Sequence, residues 1–227
     1  TVDDDGVDLP DADFSVIQDA IDAAASGDTI MVYPGLYTSA DDHVVKLWGK
    51  QLAVKSTSGP ETTTLMQTGN YSVVSRNGSP QPNGVSLEGF TITGGQLGGI
   101  DAFFDLTVTN CIIQNNHHQN GAGGISHGGF GVMQISNCQI LDNTGTAGGG
   151  IRTNSIFETD MFIATDCTIR GNDVTFGDGR GAGLYMSSNN ATLNNCEFSM
   201  NGPASGSGCY LESGSTTFID CKISGHA

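Results

Sequence analysis

The stretch Met133-Gln-Ile-Ser-Asn-Cys-Gln-Ile-Leu-Asp-Asn143 decides the fold, because variants of it recur along the chain. The matching lines are Val85–Gly95, Leu106–Asn116, Phe162–Asn172, Ala191–Asn201 and Thr216–His226. The column Phe90, Cys111, Cys138, Cys167, Cys196 and Cys221 advances by 21, 27, 29, 29 and 25 residues. Apolar and polar residues alternate within each line, which predicts short strands. Such repeats cannot bury a core alone, so they must stack on one another.

This pattern favours an all-β fold, a right-handed single-stranded parallel β-helix in which each repeat is one coil of the solenoid. A β-propeller is the competing repeat fold, but its blades need about 40 residues each. Length predicts a single domain over residues 1–227. Residues 1–37 would form the N-terminal cap and first strand, and residues 38–227 the coils, the last of them incomplete.

The columns of the repeat acquire physical roles once the coils are stacked. Val108, Cys111 and Ile113 should point inward, as should their equivalents in later coils. The end of each line predicts an asparagine ladder that satisfies backbone groups at a turn, formed by Asn116, Asn143, Asn172 and Asn201. A second Asx column marks the other bend and contains Asn110, Asn137, Asp166, Asn195 and Asp220.

The segment from Asp13 to Asp28 predicts a capping α-helix, with Asp13 as N-cap and Gly27 as the stop. Phe14, Ile17, Ile21 and Ala24 recur at helical spacing and would form its apolar face. A helix in this place would cover the unpaired strand edges of the first coil and prevent end-to-end strand pairing between molecules.

Together these features resemble a known group, the pectin-lyase-like right-handed β-helix superfamily. Its N-terminal cap is similar to Asp13-Phe-x-x-Ile-Gln-x-Ala-Ile-Asp-Ala-Ala, Gly27-Asp-Thr-Ile and Pro34-Gly-x-Tyr37. The Asn-Cys-x-Ile-x-x-Asn lines, alternating with Gly-Gly-Ile, resemble repeats of secreted bacterial β-helix proteins and adhesin-type polymorphic outer-membrane proteins. The superfamily contains lyases, hydrolases, epimerases, tailspikes and adhesins, so the resemblance implies a fold and not an activity.

Charge excludes some classes of partner. The chain has 24 acidic and 8 basic residues and a net charge of -16. Phosphates need Lys and Arg opposite them, so nucleic acid and an anionic membrane surface are disfavoured. No apolar run approaches the roughly 18 residues of a membrane span. Together with the resemblance, the acidic start at Thr1 favours a mature secreted or cell-surface protein, or an excised domain.

Six cysteines in an extracellular chain would ordinarily suggest three disulfides. The repeat favours another interpretation, because five of them, Cys111, Cys138, Cys167, Cys196 and Cys221, share one inward column. Stacked parallel side chains do not fit the preferred disulfide torsion. The column therefore predicts a ladder of buried free thiols.

The strand after each glycine pair carries the candidate binding residues. By alternation, Asp101, Arg152, Tyr185 and Tyr210 point outward, and Asn154 and Glu212 follow two positions later. In the resembled enzymes an outer strand face carries the cleft. Aromatic rings, Arg and carboxylates suit the C–H faces, uronates and hydroxyls of a glycan. The alternative is a merely solvated face.

Catalysis would need a base and acidic residues that hold Ca²⁺ against a uronate, as the resemblance implies for lyases. Arg152, Arg180 and Tyr185 are the catalytic candidates, and Asp101, Asp142, Asp178 and Glu212 could hold the metal. The catalytic motifs of pectate lyases, polygalacturonases and alginate epimerases are absent. His127 should point inward as a core histidine whose ring nitrogens have hydrogen-bond partners. His117 and His118 should lie in a turn, either as exposed polar residues or as a pair of metal ligands.

An acidic cluster at the start offers a separate calcium candidate, formed by Asp3, Asp5 and Asp8. Asp3-x-Asp5-Gly6 matches part of an EF-hand loop. However, Thr1 and Ala12 occupy the first and twelfth positions, which require carboxylates. The cluster therefore predicts either a calcium site or a solvent-exposed acidic surface, and no other cofactor is indicated.

The function predicted from sequence is a non-catalytic extracellular module, structural or adhesive, that binds glycan along the outer face. The alternative is a polysaccharide lyase or hydrolase acting on acidic polysaccharide. The expected partners are further coils or domains of the same chain, a polysaccharide or cell-surface glycan, and two further copies in a homotrimeric fibre.

Overall fold

The computed structural model describes residues 1–77, 83–154, 161–175, 179–187, 189–203 and 205–225. Within them the chain winds through about seven coils of parallel strands, numbered here along the chain. The all-β parallel β-helix predicted from the repeat is confirmed.

Three long sheets run along the solenoid axis. Sheet A contains β1 Thr29–Val32, β4 Ala53–Ser56, β7 Ser86–Glu88, β10 Leu106–Thr109, β13 Val132–Ser136, β17 Met161–Thr165, β21 Asn189–Asn194 and β24 Gly214–Ile219. Sheet B contains β2 Gly35–Ser39, β5 Thr63–Gln67, β8 Thr91–Thr93, β11 Ile112–Gln114, β14 Gln139–Leu141, β18 Thr168–Arg170, β22 Glu197–Ser199 and β25 Lys222–Ser224. Sheet C contains β3 Val45–Lys46, β6 Val74–Arg76, β9 Ile100–Ala102, β12 Ile125–His127, β16 Ile151–Asn154, β20 Leu184–Ser187 and β23 Cys209–Leu211. A small fourth sheet pairs β15 Thr144–Gly145 with β19 Asp173–Val174.

The register of the sheets follows the sequence columns. Val108 pairs with Ile135, and Ile113 pairs with Ile140. Val108, Cys111 and Ile113 are at most 1% exposed, so the inward column forms the core. Each coil places its apolar residues on those of the next, and the hydrophobic effect thereby holds the stack together.

The bend from sheet A to sheet B depends on the Asx column. Asn110, Asn137, Asp166, Asn195 and Asp220 have φ between 50° and 55°. Short Asx side chains tolerate this left-handed conformation better than other non-glycine residues. The earlier coil has Gly89 at the same place, with φ 82°.

The capping helix is shorter than the sequence predicted. The helix α1 spans Ile17–Ala23, and its N-cap is Val16, without a side-chain cap. Phe14 is extended instead, because Val2 forms parallel bridges to both Phe14 and Val32. The predicted N-cap Asp13 instead accepts a 2.8 Å hydrogen bond from the N-terminal ammonium. Ala24 is already extended, so the helix ends before Gly27.

The cap still lies where the resemblance implied. Ile17 and Ile21 are buried, and α1 packs against β1 and β3. Phe14 and Ala24 are partly buried against the same core. At the other end of the solenoid, the inward residues Phe218 and Ile223 are 36% and 50% exposed. The single-domain boundaries and the incomplete last coil remain predictions.

Candidate functional site

Sheet C presents a continuous outer face of polar and aromatic side chains. The alternating inward residues Ile100, Ile125, Ile151 and Leu184 are fully buried. In the outward column Arg152 pairs with Tyr185, and Tyr185 pairs with Tyr210, on three successive coils. We call the following set the outer face, namely Asp101, Arg152, Asn154, Arg180, Tyr185, Ser187, Tyr210 and Glu212.

Two tyrosines and two arginines form a stack along this face. The rings of Tyr185 and Tyr210 are 5.8 Å apart between centroids, with 8° between their planes. The Arg152 Cζ lies 5.8 Å from the Tyr185 ring centroid, and the Arg180 Cζ lies 5.1 Å from that of Tyr210. Such cation–π contacts stabilise the arrangement by about 0.5–1 kcal/mol each where exposed.

The stack corrects one detail of the sequence-based interpretation. Tyr185 is only 9% exposed, because Arg152 and Tyr210 cover its ring. Tyr185 therefore cannot offer an open aromatic platform to a sugar ring. It positions its two neighbours, and Tyr210 and Arg152 remain half-exposed as contact groups.

Glu212 contacts both Tyr185 and Arg180. The Tyr185 hydroxyl donates a 2.5 Å hydrogen bond to Glu212 Oε2, and Arg180 Nη1 lies 3.2 Å from Glu212 Oε1. Burial, followed by the bond to Glu212 and its charge, raises the pKa of Tyr185. Arg180 reaches the face from outside sheet C, from a backbone position bridged to Ala147 and Ser205.

Arg152 differs from Arg180 in having no carboxylate opposite it. Among the ion pairs of the described residues, none involves Arg152. Its Nε is buried and lacks a hydrogen-bond partner within the part of the chain that the structure describes. The tyrosine stack thus holds the guanidinium in place and leaves N–H donors available for a ligand.

The N-terminal end of the outer face is an Asp–His cluster. The Asn77 side chain donates to Asp101 Oδ2, and burial raises the pKa of Asp101 despite this bond and the nearby His118 and His43. Burial lowers the pKa of His118, against the opposing charge of Asp101. His43 Nδ1 lies 2.9 Å from both Ser72 Oγ and Ser72 O.

Sequence reasoning did not join these histidines to the outer face. His118 follows the ladder turn, and its backbone bridges Leu97, so the turn brings its ring to the edge of sheet C. Neither His118 nor His43 belongs to a strand column, and no spacing signal could have placed them. His127 lies on an inward position and is fully buried, where alternation placed it.

Two further outer-face residues lie two positions after Arg152 and Tyr185 on the same strands. Asn154 and Ser187 face each other on adjacent coils, where Ser187 Oγ donates a 3.1 Å hydrogen bond to Asn154 Oδ1. Asn154 is exposed and Ser187 half-exposed. Both therefore offer polar groups next to Arg152 and Tyr185.

The asparagine column forms a buried ladder in the turn between sheets B and C. Each side-chain amide donates to a backbone carbonyl of the preceding coil, as Asn143 Nδ2 does to Ile113 O at 2.9 Å. It also donates to the next rung, 3.1 Å from Asn172 Oδ1. The same Oδ1 accepts from the Asn143 backbone N–H at 3.0 Å. Asn116, Asn143, Asn172 and Asn201 are at most 1% exposed.

All six cysteines are free thiols. Cys111, Cys138, Cys167 and Cys196 are at most 2% exposed, while Cys209 and Cys221 are half-buried. Burial raises the pKa of Cys111 to about 12. Thiols in this state are poor nucleophiles and act as small apolar core residues.

The acidic N-terminus is arranged differently from its sequence pattern. Carboxylate oxygens of Asp3, Asp4 and Asp5 lie within 4.8 Å of one another. Asp8 is exposed and outside that group. Asp142 lies in a left-handed turn after β14, away from the outer face, and Asp178 lies outside the described residues.

A family model described as "Right handed beta helix region" matches residues 63–227. The chain belongs to this family. The pectin-lyase-like resemblance is thereby confirmed at the level of fold. A search of curated protein sequences gave no significant match.

Two solved structures resemble the whole β-helix. Pectin methylesterase PemA from Erwinia chrysanthemi superposes with a TM-score of 0.57 at 10% identity, over 100% of this chain and 89% of that one. The pectin methylesterase from Aspergillus niger gives 0.55 at 14% identity, over 99% and 84%. At such identity the likeness establishes the fold only. No helix in the described residues is long and apolar enough to span a membrane.

Proposed function

We propose that this β-helix domain binds an acidic polysaccharide chain along the outer face of sheet C without cleaving it. The observation that carries the proposal is Arg152, whose guanidinium lies over Tyr185 and has no carboxylate partner among the described residues. A uronate carboxylate is a suitable partner, because Arg binds carboxylates by charge-assisted and often bidentate hydrogen bonds.

The chemistry next to Arg152 supports a sugar chain as the ligand. Asn154, Ser187 and Glu212 supply hydroxyl-binding groups, and Tyr210 supplies a half-exposed ring. Adjacent coils lie about 4.8 Å apart, so these groups repeat along the axis as an extended polymer would require. The two similar structures are pectin methylesterases, which agrees with a carbohydrate-related role.

The proposal includes a place outside the cell, secreted or on a surface, where such polymers occur. It describes a structural or adhesive module, with further coils or domains of the same chain, or two further copies in a fibre, as its protein partners.

A binding screen tests the proposal. The purified chain would be titrated with polygalacturonate, alginate and a neutral glucan, in the presence of Ca²⁺ and of EDTA. We expect binding to the acidic polymers, weakened about tenfold or more by Arg152→Ala. The matched control is Arg170→Ala, because Arg170 is exposed on sheet B. Equal binding by both variants, or no binding to any acidic polymer, would refute the proposal.

A second candidate is a polysaccharide lyase or hydrolase. It is favoured by Asp101, whose pKa is raised by burial, beside His118 on the same face. A carboxyl group with a raised pKa is suited to general acid–base chemistry. New reducing ends or unsaturated uronates from an acidic polymer, abolished by Asp101→Asn, would establish the enzyme and replace the binding module.

A further inference from the structure

The N-terminal segment contains three consecutive carboxylates that converge on one point. Asp3, Asp4 and Asp5 each place a carboxylate oxygen within 4.8 Å of the others. Among the described ion pairs none reaches these three residues, and the N-terminal ammonium pairs with Asp13 instead. Three like charges at such distances repel one another unless a cation lies between them.

Backbone hydrogen bonds fix the orientation of each carboxylate. Asp3 Oδ2 accepts from Leu9 N at 2.5 Å, Asp4 Oδ2 from Leu36 N at 2.9 Å, and Asp5 Oδ1 from Val7 N at 2.9 Å. Each side chain therefore uses one oxygen to hold its position. The second oxygen of each remains for a ligand.

Two of those remaining oxygens are buried and unpartnered. Asp3 is 3% exposed, and its Oδ1 has no hydrogen-bond donor within the described chain. Asp4 Oδ1 is likewise buried without a donor there. An ionised carboxylate oxygen taken from water without a partner is costly, so a native fold normally supplies a cation or a proton donor.

We propose that Asp3, Asp4 and Asp5 form a calcium site that ties the N-terminal segment to the first coil. Three carboxylate oxygens from neighbouring residues suit a hard cation, and Ca²⁺ accepts irregular sets of six to eight oxygens. Mg²⁺ fits less well, since it demands a near-ideal octahedron and retains its waters. The site combines Asp3 and Asp5 of the candidate set considered from sequence with Asp4, whereas Asp8 lies outside the group.

The site lies at a junction of the fold. Val2 bridges Phe14 and Val32, Asp3 N donates to Phe14 O, and Asp4 bonds to Leu36 in β2. Gly35 makes room for this contact, because a Cβ there would collide with Asp4 Oδ1. A cation held by Asp3, Asp4 and Asp5 would thus connect the N-terminus, the loop to Leu9 and the first strand of sheet B.

Calcium titration of the full chain tests the proposal, with Ca²⁺ alone as the probe. We expect one ion bound per chain by calorimetry, and a thermal midpoint that rises by about 5–10 °C at a hundredfold excess over Kd. Asp4→Asn should raise the Kd at least tenfold. Asp8→Asn, an exposed neighbour outside the cluster, should bind as the wild type does.

The unfolding temperature in EDTA separates a cation site from a merely structural role. Without cation, Asp4→Asn should be as stable as the wild type or more so, because one repelling charge is gone while the Leu36 acceptor is kept. With Ca²⁺ the order should reverse. A wild type that binds no Ca²⁺ at millimolar concentration, an unchanged Kd in Asp4→Asn, or the same order of stability in both buffers would overturn the proposal.

Discussion

Tyr185 and Tyr210 stack on adjacent coils with ring centroids 5.8 Å apart and 8° between their planes. Parallel pairing of β20 with β23 places them in register. The stack ends in Arg152 on one side and is joined to Arg180 and Glu212 on the other. This pair thus contacts Arg152, Arg180 and Glu212 on the outer face.

Replacing Tyr210 should weaken glycan binding, because Tyr210 is the half-exposed ring of the stack. We expect Tyr210→Ala to reduce affinity for an acidic polysaccharide about tenfold, which corresponds to roughly 1.4 kcal/mol. Tyr210→Phe keeps the ring and should retain most of the affinity. Affinity electrophoresis measures both, with Tyr33→Ala as a control at the capped end. Normal binding by the Tyr210→Ala variant would show that this ring does not contact the glycan.

Binding through Arg152 should depend on salt. The uronate contact proposed for this guanidinium is electrostatic, so raising ionic strength should weaken wild-type binding. The Arg152→Ala variant should show a flatter salt dependence, whereas Arg170→Ala should follow the wild type. Titrations at low and high salt make the comparison. Parallel salt slopes for all three proteins would contradict the role given to Arg152.

Asp101 should make stability fall as pH rises. Its folded pKa is raised above the ordinary value of 3.8 by burial, so between those two values the native chain binds more protons than the unfolded chain. Stability therefore decreases from about pH 4 upward until the folded pKa is passed. Asp101→Asn removes this titration and should make the variant at least as stable as the wild type at neutral pH. Urea unfolding from pH 3 to pH 8 tests this, and a variant that keeps the same slope would contradict it.

The asparagine ladder should be a major source of stability. Asn143→Ala leaves Ile113 O and the Asn116 N–H without their buried partners, at about 1–3 kcal/mol for each unsatisfied group. We expect a loss of several kcal/mol in the free energy of unfolding, measured with urea. Asn154→Ala, at an exposed strand position, should change it by less than about 0.5 kcal/mol. A similar loss in both variants would show that burial of the ladder does not matter.

The four fully buried thiols should be inert in the native state. An Ellman assay should leave Cys111, Cys138, Cys167 and Cys196 unreacted until denaturant is added, when all six should react. Reducing agent should leave the thermal midpoint unchanged, because no disulfide contributes to it. A midpoint that falls on reduction would show that the cysteine column contains disulfides.

The sequence predicted the repeat, the inward columns and the ladder because each arises from a period that recurs in every coil. The Cys138 column sets the register, and the stacking of identical turns then places Val108 over Ile135. The predicted length of the helix was wrong, because helical spacing from Phe14 to Ala24 cannot reveal that Val2 pairs with Phe14.

The site was only partly predictable for a related reason. Arg152 and Tyr185 share a column, so alternation alone places them together. Arg180 and His118 lie on irregular turns, and their approach to the outer face depends on loop paths that no spacing encodes. Asp4 is similar, since its bond to Leu36 spans 32 residues and depends on the space left by Gly35.

The most direct test of the central claim is hydroxyl-radical footprinting of the chain with and without a bound oligogalacturonate, with products assayed in the same sample. We predict that Tyr210 on sheet C becomes protected, that Met66 and Met200 keep their reactivity, and that the oligosaccharide stays intact. Protection of Met66 or Met200 without Tyr210 would place the ligand elsewhere. Cleaved oligosaccharide would show that the outer face is an active site rather than a binding surface.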